Sequence, residues 1–363
     1  MLCDFANWIA LMMNPAAFTI FSELLAFSST NYQAVHAKTK ARPLLSFCVF
    51  FAFSAPAYAF EINAQAVNVA PLPTLPAEVS LERSKEPDAA IIRLQVLLDR
   101  QGVSPGVIDG YDGNNLRKAI AAIGALRADS ANGMPDPKAF ENLDDQVPVI
   151  QAYTITDEDG QGLVDSIPDD YAEQARMQQL GYTSVAEKLS ERFHMAIDLL
   201  KALNPTASFQ PGETIAVAAP GMPKNGDVAK IVAHRKLGQI SGFAKDGTLV
   251  AVYPATIGSK ENPSPTGLHK VKGVARNPPY TYNPGINFQQ GNNKKKLTLP
   301  SGPNGPVGTV WIDLTEPTYG LHGTPNPNLI DKVGSHGCVR LTNWDAEELA
   351  GMIKPGVSVE FVD

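Results

Sequence analysis

The hydrophobic positions of this chain follow two periods, a helical one in the first two thirds and one typical of strands afterwards. Between residues 87 and 145, two sets of apolar residues recur at helical spacing: Ile91, Leu94 and Leu98, then Leu116, Ala119, Ile120 and Ile123. Gly102 is placed to end the first helix, and Asn114 or Asn115 to cap the second. Residues 87–145 are therefore expected to form a small helical domain.

Helical spacing returns between residues 171 and 220, where it predicts two further helices and a last strand. An Asn-Pro pair at 204–205 and a Pro-Gly pair at 211–212 mark the turns that follow the second helix. Two connecting stretches separate the regions. Residues 60–86 are rich in Ala, Pro and Val and are expected to be an extended linker, and residues 146–170 an acidic connector.

From residue 228 the apolar residues fall in short runs, which predict strands. The runs span 231–237, 239–243, 248–253, 271–274, 310–314 and 357–361. One helix is expected between an N-cap at Thr342 or Asn343 and Gly356. Residues 276–309 are predicted to be a long loop, either solvated or a lid. Residues 228–363 are thus predicted to be a mainly-β domain, a sandwich or a partly closed barrel, within a multidomain α+β chain.

The 363 residues carry a net charge of −7, which argues against nucleic acid as the main partner. The charge is unevenly distributed. Residues 60–227 hold 13 basic and 25 acidic side chains, and residues 228–363 hold 14 basic and 10 acidic ones. A mildly basic C-terminal domain suits a substrate that bears carboxylates, and it is equally consistent with an ordinary solvated surface.

The segment before residue 60 has the pattern of a secretory signal peptide. Basic residues at 38, 40 and 42 precede a short apolar stretch at 44–53, and Ala57-Tyr-Ala59 forms a cleavage motif. That stretch is too short to span a bilayer, so the mature protein is expected to lie in the periplasm or cell envelope without a stable membrane span. Residues 1–34 do not fit the pattern; a start site set too far upstream, an unusual extension and a membrane anchor are the open interpretations.

Of the three cysteines, only Cys338 lies beyond the cleavage motif. A cysteine in an apolar site is inert, whereas one beside an imidazole and backbone N–H groups is a nucleophile. His322 and His336 both precede Cys338 closely in the sequence. Gly337 has no Cβ, so a substrate carbonyl can approach the N–H groups of Gly337 and Cys338. These residues are the candidate catalytic group.

Three segments around these residues resemble the signature of the L,D-transpeptidase family, whose YkuD-type catalytic domain acts on peptidoglycan stem peptides. They are Ser-Pro-Thr-Gly at 264–267, Tyr-Gly-Leu-His-Gly-Thr at 319–324 and Ser-His-Gly-Cys-Val-Arg-Leu at 335–341. The resemblance covers residues 228–363. It implies a cysteine-dependent acyltransferase with a mainly-β fold, and neither a metal nor an organic cofactor.

The resemblance also implies a role for each residue of the motifs. Cys338 attacks the carbonyl of the third stem-peptide residue, releases the terminal D-alanine and forms a thioester that an acceptor amine resolves. His322 is the base, oriented by a main-chain carbonyl, that of Gly323. His336 and Ser335 shape the cysteine loop.

Arg340 and Tyr319 are the candidate substrate-binding residues. Arg340 can bind a substrate carboxylate through two parallel hydrogen bonds, and a structural ion pair is the alternative interpretation. Tyr319 is placed either to line the substrate groove or to belong to the core.

Two further resemblances concern the accessory regions. Residues 87–145 resemble the peptidoglycan-binding type 1 domain, although Ile123-Gly124 stand where that family has Phe-Gln. Residues 171–220 resemble the second half of a LysM module and lack its usual Gly-Asp-Thr opening. Both resemblances imply a partner in the glycan or peptide of the cell wall, and a structural spacer is the alternative for both.

Several functions remain compatible with these residues. Cross-linking of stem peptides is the expected one, and attachment of a lipoprotein or hydrolysis to a tripeptide would use the same thioester. A zinc site made of His322, His336 and Cys338 has permissible ligands. Papain-like and NlpC-type peptidases place the cysteine before the histidine, the reverse of the order here. A wall-binding protein without activity is the remaining alternative.

Overall fold

The computed structural model describes residues 62–73, 75, 84–126, 143, 146–286 and 288–363. All of them belong to one compact unit, Tyr58–Asp363. The expected signal peptide, residues 1–59, lies outside the described residues, as do parts of the linker and of the first helical domain. Within the described ranges, no helix is both long enough and apolar enough to cross a membrane.

The described chain begins with three helices: α1 (Ala64–Val69), α2 (Ala89–Arg100) and α3 (Asn114–Leu126). The last two coincide with the two sets of apolar residues in the sequence. Asp88 caps α2 by accepting hydrogen bonds from two backbone N–H groups of its first turn. Gln95 of α2 stabilises the loop that follows the helix, because its side-chain oxygen accepts hydrogen bonds from the N–H groups of Asp109 and Gly110. The assignment of this region as a wall-binding domain stays a prediction.

The expected linker differs from an extended chain in its first part. Residues 64–69 form α1, because Asn63 caps the helix and Val67 is fully buried. The side chain of Asn68 exchanges two hydrogen bonds with the backbone of Ile150, at 2.8 and 2.9 Å. A helix that buries one side chain has no hydrophobic period, so the sequence did not reveal it.

The acidic connector contains a strand that the sequence analysis missed. The elements of this region are β1 (Ile150–Thr154), α4 (Tyr171–Gln174), α5 (Val185–Arg192), α6 (Ile197–Leu203) and β2 (Thr214–Ala218). β1 pairs antiparallel with β2. Only Ile150 of β1 is buried and three of its five residues are exposed, so the strand shows no alternation of apolar and polar residues. The LysM-like assignment stays a prediction.

Residues 228–363 fold around a nine-stranded sheet. The strands of this region are β3 (Lys230–His234), β4 (Gln239–Phe243), β5 (Leu249–Pro254), β6 (Thr256–Ile257), β7 (Gly267–Arg276), β8 (Tyr280–Tyr282), β9 (Leu297–Leu299), β10 (Val310–Leu314), β11 (Gly320–His322), β12 (Val339–Arg340) and β13 (Ser358–Val362). β8 and β9 form a separate ribbon, and the others follow the order β5-β4-β3-β13-β7-β10-β11-β12-β6. The pairs β13–β3 and β11–β12 are parallel.

The two ends of this sheet are neighbours in the chain. β5 and β6 stand at opposite ends of the strand order, yet only Ala255 separates them. The sheet must therefore curl until its ends approach each other, which makes it a partly closed barrel. This confirms the predicted mainly-β domain. Its apolar core includes Ile231, Val271, Ile312, Leu321 and Phe361.

A single helix in this domain, α7 (Asn343–Met352), packs on the sheet. Thr342 caps it as predicted, by accepting a 3.1 Å hydrogen bond from the N–H of Asp345. Leu349 is fully buried in the core beneath the sheet. The helix ends at Met352 and not near Gly356, because residues 353–357 turn into β13.

The segment between β7 and β10 is not a simple solvated loop. Tyr282 and Leu299 of its ribbon are fully buried against Leu180, which precedes α5. Backbone hydrogen bonds join Leu180 N to Ser301 O at 2.9 Å and Asn304 N to Leu180 O at 3.0 Å. Few apolar side chains and several backbone groups make this contact, so the polar composition of the segment concealed it.

The helical region docks on the end of the sheet. Val103 forms a parallel bridge with Val252 of β5, and Ser104 N donates to Val252 O at 2.8 Å. Lys118 of α3 forms a salt bridge with Asp331 of the C-terminal domain. β5 is the last strand of the order, and these contacts cover its free edge.

Charged side chains are buried where α2, α5 and α7 approach one another. Asp99 of α2 forms an ion pair with His194 at 2.9 Å, and the His194 ring stacks on Trp344 of α7 with 5.1 Å between the ring centroids. Glu191 of α5 accepts a 2.9 Å hydrogen bond from Asn343 Nδ2 and a second one from a tyrosine hydroxyl. Burial raises the pKa of Glu191 to about 7.

We predict that Glu191→Gln removes part of the pH dependence of stability. A glutamate in the unfolded chain loses its proton near pH 4.5, whereas the folded carboxyl, with a pKa of about 7, stays protonated up to about pH 7. The folded state therefore binds more protons in that interval, and the free energy of unfolding of the wild type falls as the pH rises. Glutamine accepts the same hydrogen bonds without titrating. Over this pH interval, the free energy of unfolding of the variant should therefore fall by about 3 kcal/mol less than that of the wild type.

Thermal unfolding of both proteins across this pH interval measures the difference. Glu173→Gln is the matched control, since Glu173 is exposed, and its curve should parallel that of the wild type. An unchanged slope in Glu191→Gln would contradict the prediction.

Candidate active site

Two short parallel strands bring the predicted nucleophile and base together. In the β11–β12 pair, Leu321 lies opposite Val339 and His322 opposite Arg340. His322 and Arg340 are paired across the two strands and therefore share one face. Cys338 lies in the bend just before β12. All three line one cavity of about 450 Å³.

His322 is buried and its ring is oriented on two sides. Its Nδ1 lies 2.6 Å from the carbonyl oxygen of Gly323, as predicted, and its ring stacks on Trp311 with 5.6 Å between the centroids. A carbonyl only accepts, so Nδ1 carries the proton and Nε2 keeps the lone pair. Burial lowers the pKa of His322 to about 4, with Arg340 acting in the same direction and the Gly323 hydrogen bond against it. The imidazole is therefore neutral near pH 7.

Cys338 is a free, half-buried thiol. Its Sγ donates a long hydrogen bond, 3.8 Å, to the carbonyl oxygen of Thr318. Burial raises the pKa of the thiol, while the backbone of Gly320 and the charge of Arg340 lower it by less. The resting pair is thus a neutral thiol and a neutral imidazole, and the proton has to move during attack.

Two residues of the motif hold the loop before Cys338. Ser335 is buried; its hydroxyl donates to the Cys338 carbonyl at 2.6 Å and its N–H to the Gly258 carbonyl at 3.0 Å. Gly337 has a φ of +101°, and a Cβ there would lie 2.7 Å from Cε1 of Tyr319. Both the backbone conformation and the tyrosine ring therefore require glycine at position 337. This requirement adds to the predicted one, that a substrate carbonyl can approach the backbone N–H groups.

Comparison with known proteins agrees with this geometry. Residues 229–361 match the family model of YkuD, the L,D-transpeptidase catalytic domain. Residues 229–361 are an L,D-transpeptidase catalytic domain. Over 169 residues the chain is 27% identical to the candidate L,D-transpeptidase YkuD of Bacillus subtilis (strain 168), which is 46% of this chain and 87% of that protein. Over 57 residues it is 46% identical to the YkuD of Bacillus licheniformis, which is 16% of this chain and 34% of that protein.

Solved structures of L,D-transpeptidases are also similar to this chain. L,D-transpeptidase 3 from Mycobacterium tuberculosis is 17% identical with a TM-score of 0.31, over 42% of this chain and 65% of that one. An L,D-transpeptidase from Mycobacterium smegmatis is 19% identical with a TM-score of 0.31, over 42% and 64%. The chain therefore spans slightly less than two thirds of these solved proteins. The family match begins at residue 229, so the accessory regions keep their predicted assignments.

The remaining predicted residues of the catalytic domain line the same cavity. His336 is exposed and stacks on Phe288 with 4.1 Å between the centroids, which joins the cysteine loop to the segment between β7 and β10. Tyr319 stands against Gly337. Arg340 is half-buried and donates to the Gly334 carbonyl at 3.4 Å. Among the described residues no carboxylate forms an ion pair with Arg340, and its role in substrate binding stays a prediction.

The cavity also contains residues that the sequence analysis did not single out. They are Tyr171, Glu261, Asn262, Pro263, Tyr280, Ile286, Phe288, Pro306, Val307 and Thr318. Several belong to the segment between β7 and β10, for which a lid had been one interpretation. Tyr171 lies far from the motifs in sequence, and no local pattern could have found it. The described ranges contain no group of three His, Cys, Asp or Glu side chains arranged to hold a metal ion.

We predict that Cys338 reacts as a buried neutral thiol. Burial raises its pKa above that of an ordinary cysteine thiol, so the rate of alkylation by iodoacetamide should rise through an inflection above about pH 8.5. In the urea-unfolded chain the inflection should move to about pH 8.5. Cys338→Ser measures the background from other groups. A folded-state inflection below about pH 8 would indicate a thiolate–imidazolium pair and contradict the prediction.

Proposed function

We propose that this protein is a cysteine-dependent L,D-transpeptidase that cross-links and remodels peptidoglycan. The observation that carries the proposal is that His322 of β11 and Cys338, just before the paired strand β12, line one cavity. The hydrogen bond from Nδ1 to Gly323 leaves Nε2 as the atom that can accept a proton. The family match of residues 229–361 supports the reaction class.

In the first half-reaction, Sγ of Cys338 attacks the carbonyl carbon of the third residue of a tetrapeptide stem. Nε2 of His322 takes the thiol proton as the S–C bond forms and gives it to the leaving amine of the terminal D-alanine as the C–N bond breaks. A neutral pair suits this step, because no charge is separated in the buried site before the substrate arrives. The N–H groups of Gly337 and Cys338 are the candidate donors to the oxyanion.

In the second half-reaction, an amine of a neighbouring stem attacks the thioester carbonyl. Nε2 of His322 takes a proton from that amine and returns it to Sγ when the C–S bond breaks, which regenerates the enzyme. Water in place of the amine would give a tripeptide, and a lipoprotein amine would give a covalent attachment. The three outcomes share Cys338 and His322, and the acceptor decides between them.

The substrate implies the location of the protein. Stem peptides lie outside the cytoplasmic membrane, so we place the protein in the periplasm or cell envelope, which agrees with the expected signal peptide. The contacts of Val103 and Lys118 with the catalytic domain favour a structural role for the helical region, and wall binding remains its second interpretation.

Product analysis tests the proposal. Protein from residue 60 onward is incubated with disaccharide-tetrapeptide muropeptides, and the products are identified by mass spectrometry. The wild type should form dimers that lack one D-alanine, and Cys338→Ala should form none. His322→Ala should lower kcat about 10²- to 10⁴-fold with an unchanged thermal unfolding curve, because it removes the base. His234→Ala, at the end of β3 and outside the residues that line the cavity, is the matched histidine variant and should retain most of the activity.

Other outcomes separate the alternatives. Tripeptide alone would indicate hydrolysis. A stable thioester on Cys338 with release of D-alanine, but with neither dimer nor tripeptide, would indicate an acceptor other than a stem amine or water, such as a lipoprotein amine. Turnover by Cys338→Ala equal to that of the wild type would refute the proposed mechanism.

A further inference from the structure

One wall of the active-site cavity comes from outside the catalytic domain. Tyr171 begins α4, well before residue 229, and lines the cavity together with Cys338 and Arg340. Its ring meets that of Tyr280 edge-on, with 6.1 Å between the centroids. The accessory region therefore contributes directly to the surface that the substrate meets.

Tyr171 is fixed by contacts with the segment between β7 and β10. Its N–H donates to Gln290 Oε1 at 3.2 Å, and Gln290 Nε2 donates at 2.8 Å to a backbone carbonyl just before α4. The carboxylate of Asp170, which caps α4, accepts a 3.0 Å hydrogen bond from Asn293 Nδ2. The Tyr171 ring also packs edge-on against the fully buried Tyr282, with 5.3 Å between the centroids. The position of the hydroxyl is thus set by a built structure and not by a loose side chain.

Tyr171, Tyr280 and Arg340 all line this cavity. Burial raises the pKa of both phenols, that of Tyr171 to about 12, and the positive charge of Arg340 acts against this rise. Tyr171 and Tyr280 are therefore neutral hydrogen-bond donors near pH 7. Within the described ranges neither hydroxyl has a hydrogen-bond partner, and no carboxylate pairs with Arg340. Glu261, the acidic residue of the cavity, is exposed at its rim.

We infer that Tyr171, Tyr280 and Arg340 form a subsite for the C-terminal carboxylate of the donor stem peptide. The inference rests on the proposed function and adds a substrate-binding residue from the accessory region. A carboxylate accepts hydrogen bonds from a guanidinium and from hydroxyls at once, so it matches two hydroxyls and a guanidinium that pairs with no described carboxylate.

The spacing of Cys338 and Arg340 agrees with this assignment. The terminal carboxylate of the donor lies one residue, about 3.5 Å, beyond the carbonyl that is attacked. Cys338 and Arg340 are two residues apart in the chain, at most about 7 Å between their Cα atoms, and both side chains line the cavity. The long Arg340 side chain can therefore hold the carboxylate while Sγ contacts the carbonyl carbon.

The test uses two donor peptides that differ only at the C-terminus, one with a carboxylate and one with a carboxamide. Tyr171→Phe removes the hydroxyl and keeps the ring contacts. It should raise KM for the carboxylate peptide about 10- to 100-fold, the effect of losing one hydrogen bond to a charged group, with kcat little changed. KM for the carboxamide peptide should stay the same. Tyr153→Phe is the matched control, since it removes an accessory-region hydroxyl that bonds Asp159, and it should change neither value.

Equilibrium binding to Cys338→Ala separates this inference from the proposed function. A preference for the carboxylate peptide that disappears in Cys338→Ala/Tyr171→Phe would support the subsite even if the wild type showed no transpeptidation. An equal loss for both peptides, or no loss for either, would overturn the subsite even if the wild type were active. Tyr280→Phe serves as the second variant. Like Tyr171→Phe, it should weaken binding of the carboxylate peptide and leave binding of the carboxamide peptide unchanged.

Discussion

The parallel pairing of β11 with β12 is the constraint on which the candidate site depends. A shift of one residue in its register would place His322 and Arg340 on opposite faces of the sheet. The side chain of Asn343 contacts the backbone next to the β11–β12 pair. Its Oδ1 accepts from Thr309 N at 3.2 Å and stands where a Cβ on Gly323 would be, and its Nδ2 donates to Glu191. A continuous set of contacts therefore runs from the accessory region to the carbonyl that orients His322.

The accessory regions complete the catalytic domain. Val103 covers the free edge of β5, and Leu180 fills the small core behind the β8–β9 ribbon. Tyr280 of that ribbon and Tyr171 of α4 line the cavity, and Phe288, between β8 and β9, stacks on His336 of the cysteine loop. The candidate active-site cavity is therefore lined by parts of the chain that are far apart in sequence. Its geometry consequently depends on how firmly the regions are docked, and buried groups such as Glu191 lie at that junction.

The sequence predicted the elements that have a period and missed those that do not. α2, α3 and strands such as β10 bury regular sets of side chains, and the Cys338 and His322 motifs are local, so a single sequence contains both. β6 and β12 have two residues each, which is too few to show alternation. β1 exposes most of its residues. The place of Tyr171 follows from hydrogen bonds such as that to Gln290, which no local pattern encodes.

On the proposed mechanism, a thioester forms on Cys338 from a buried neutral thiol, and His322 takes the proton. The most direct measurement is the intact mass of the protein after incubation with a tetrapeptide donor and no acceptor amine, followed by peptide mapping. We predict an added mass equal to the donor minus one D-alanine, on the peptide that contains Cys338, removable by hydroxylamine and absent from Cys338→Ala. A donor-derived adduct on any other residue, with Cys338 unmodified, would contradict the claim.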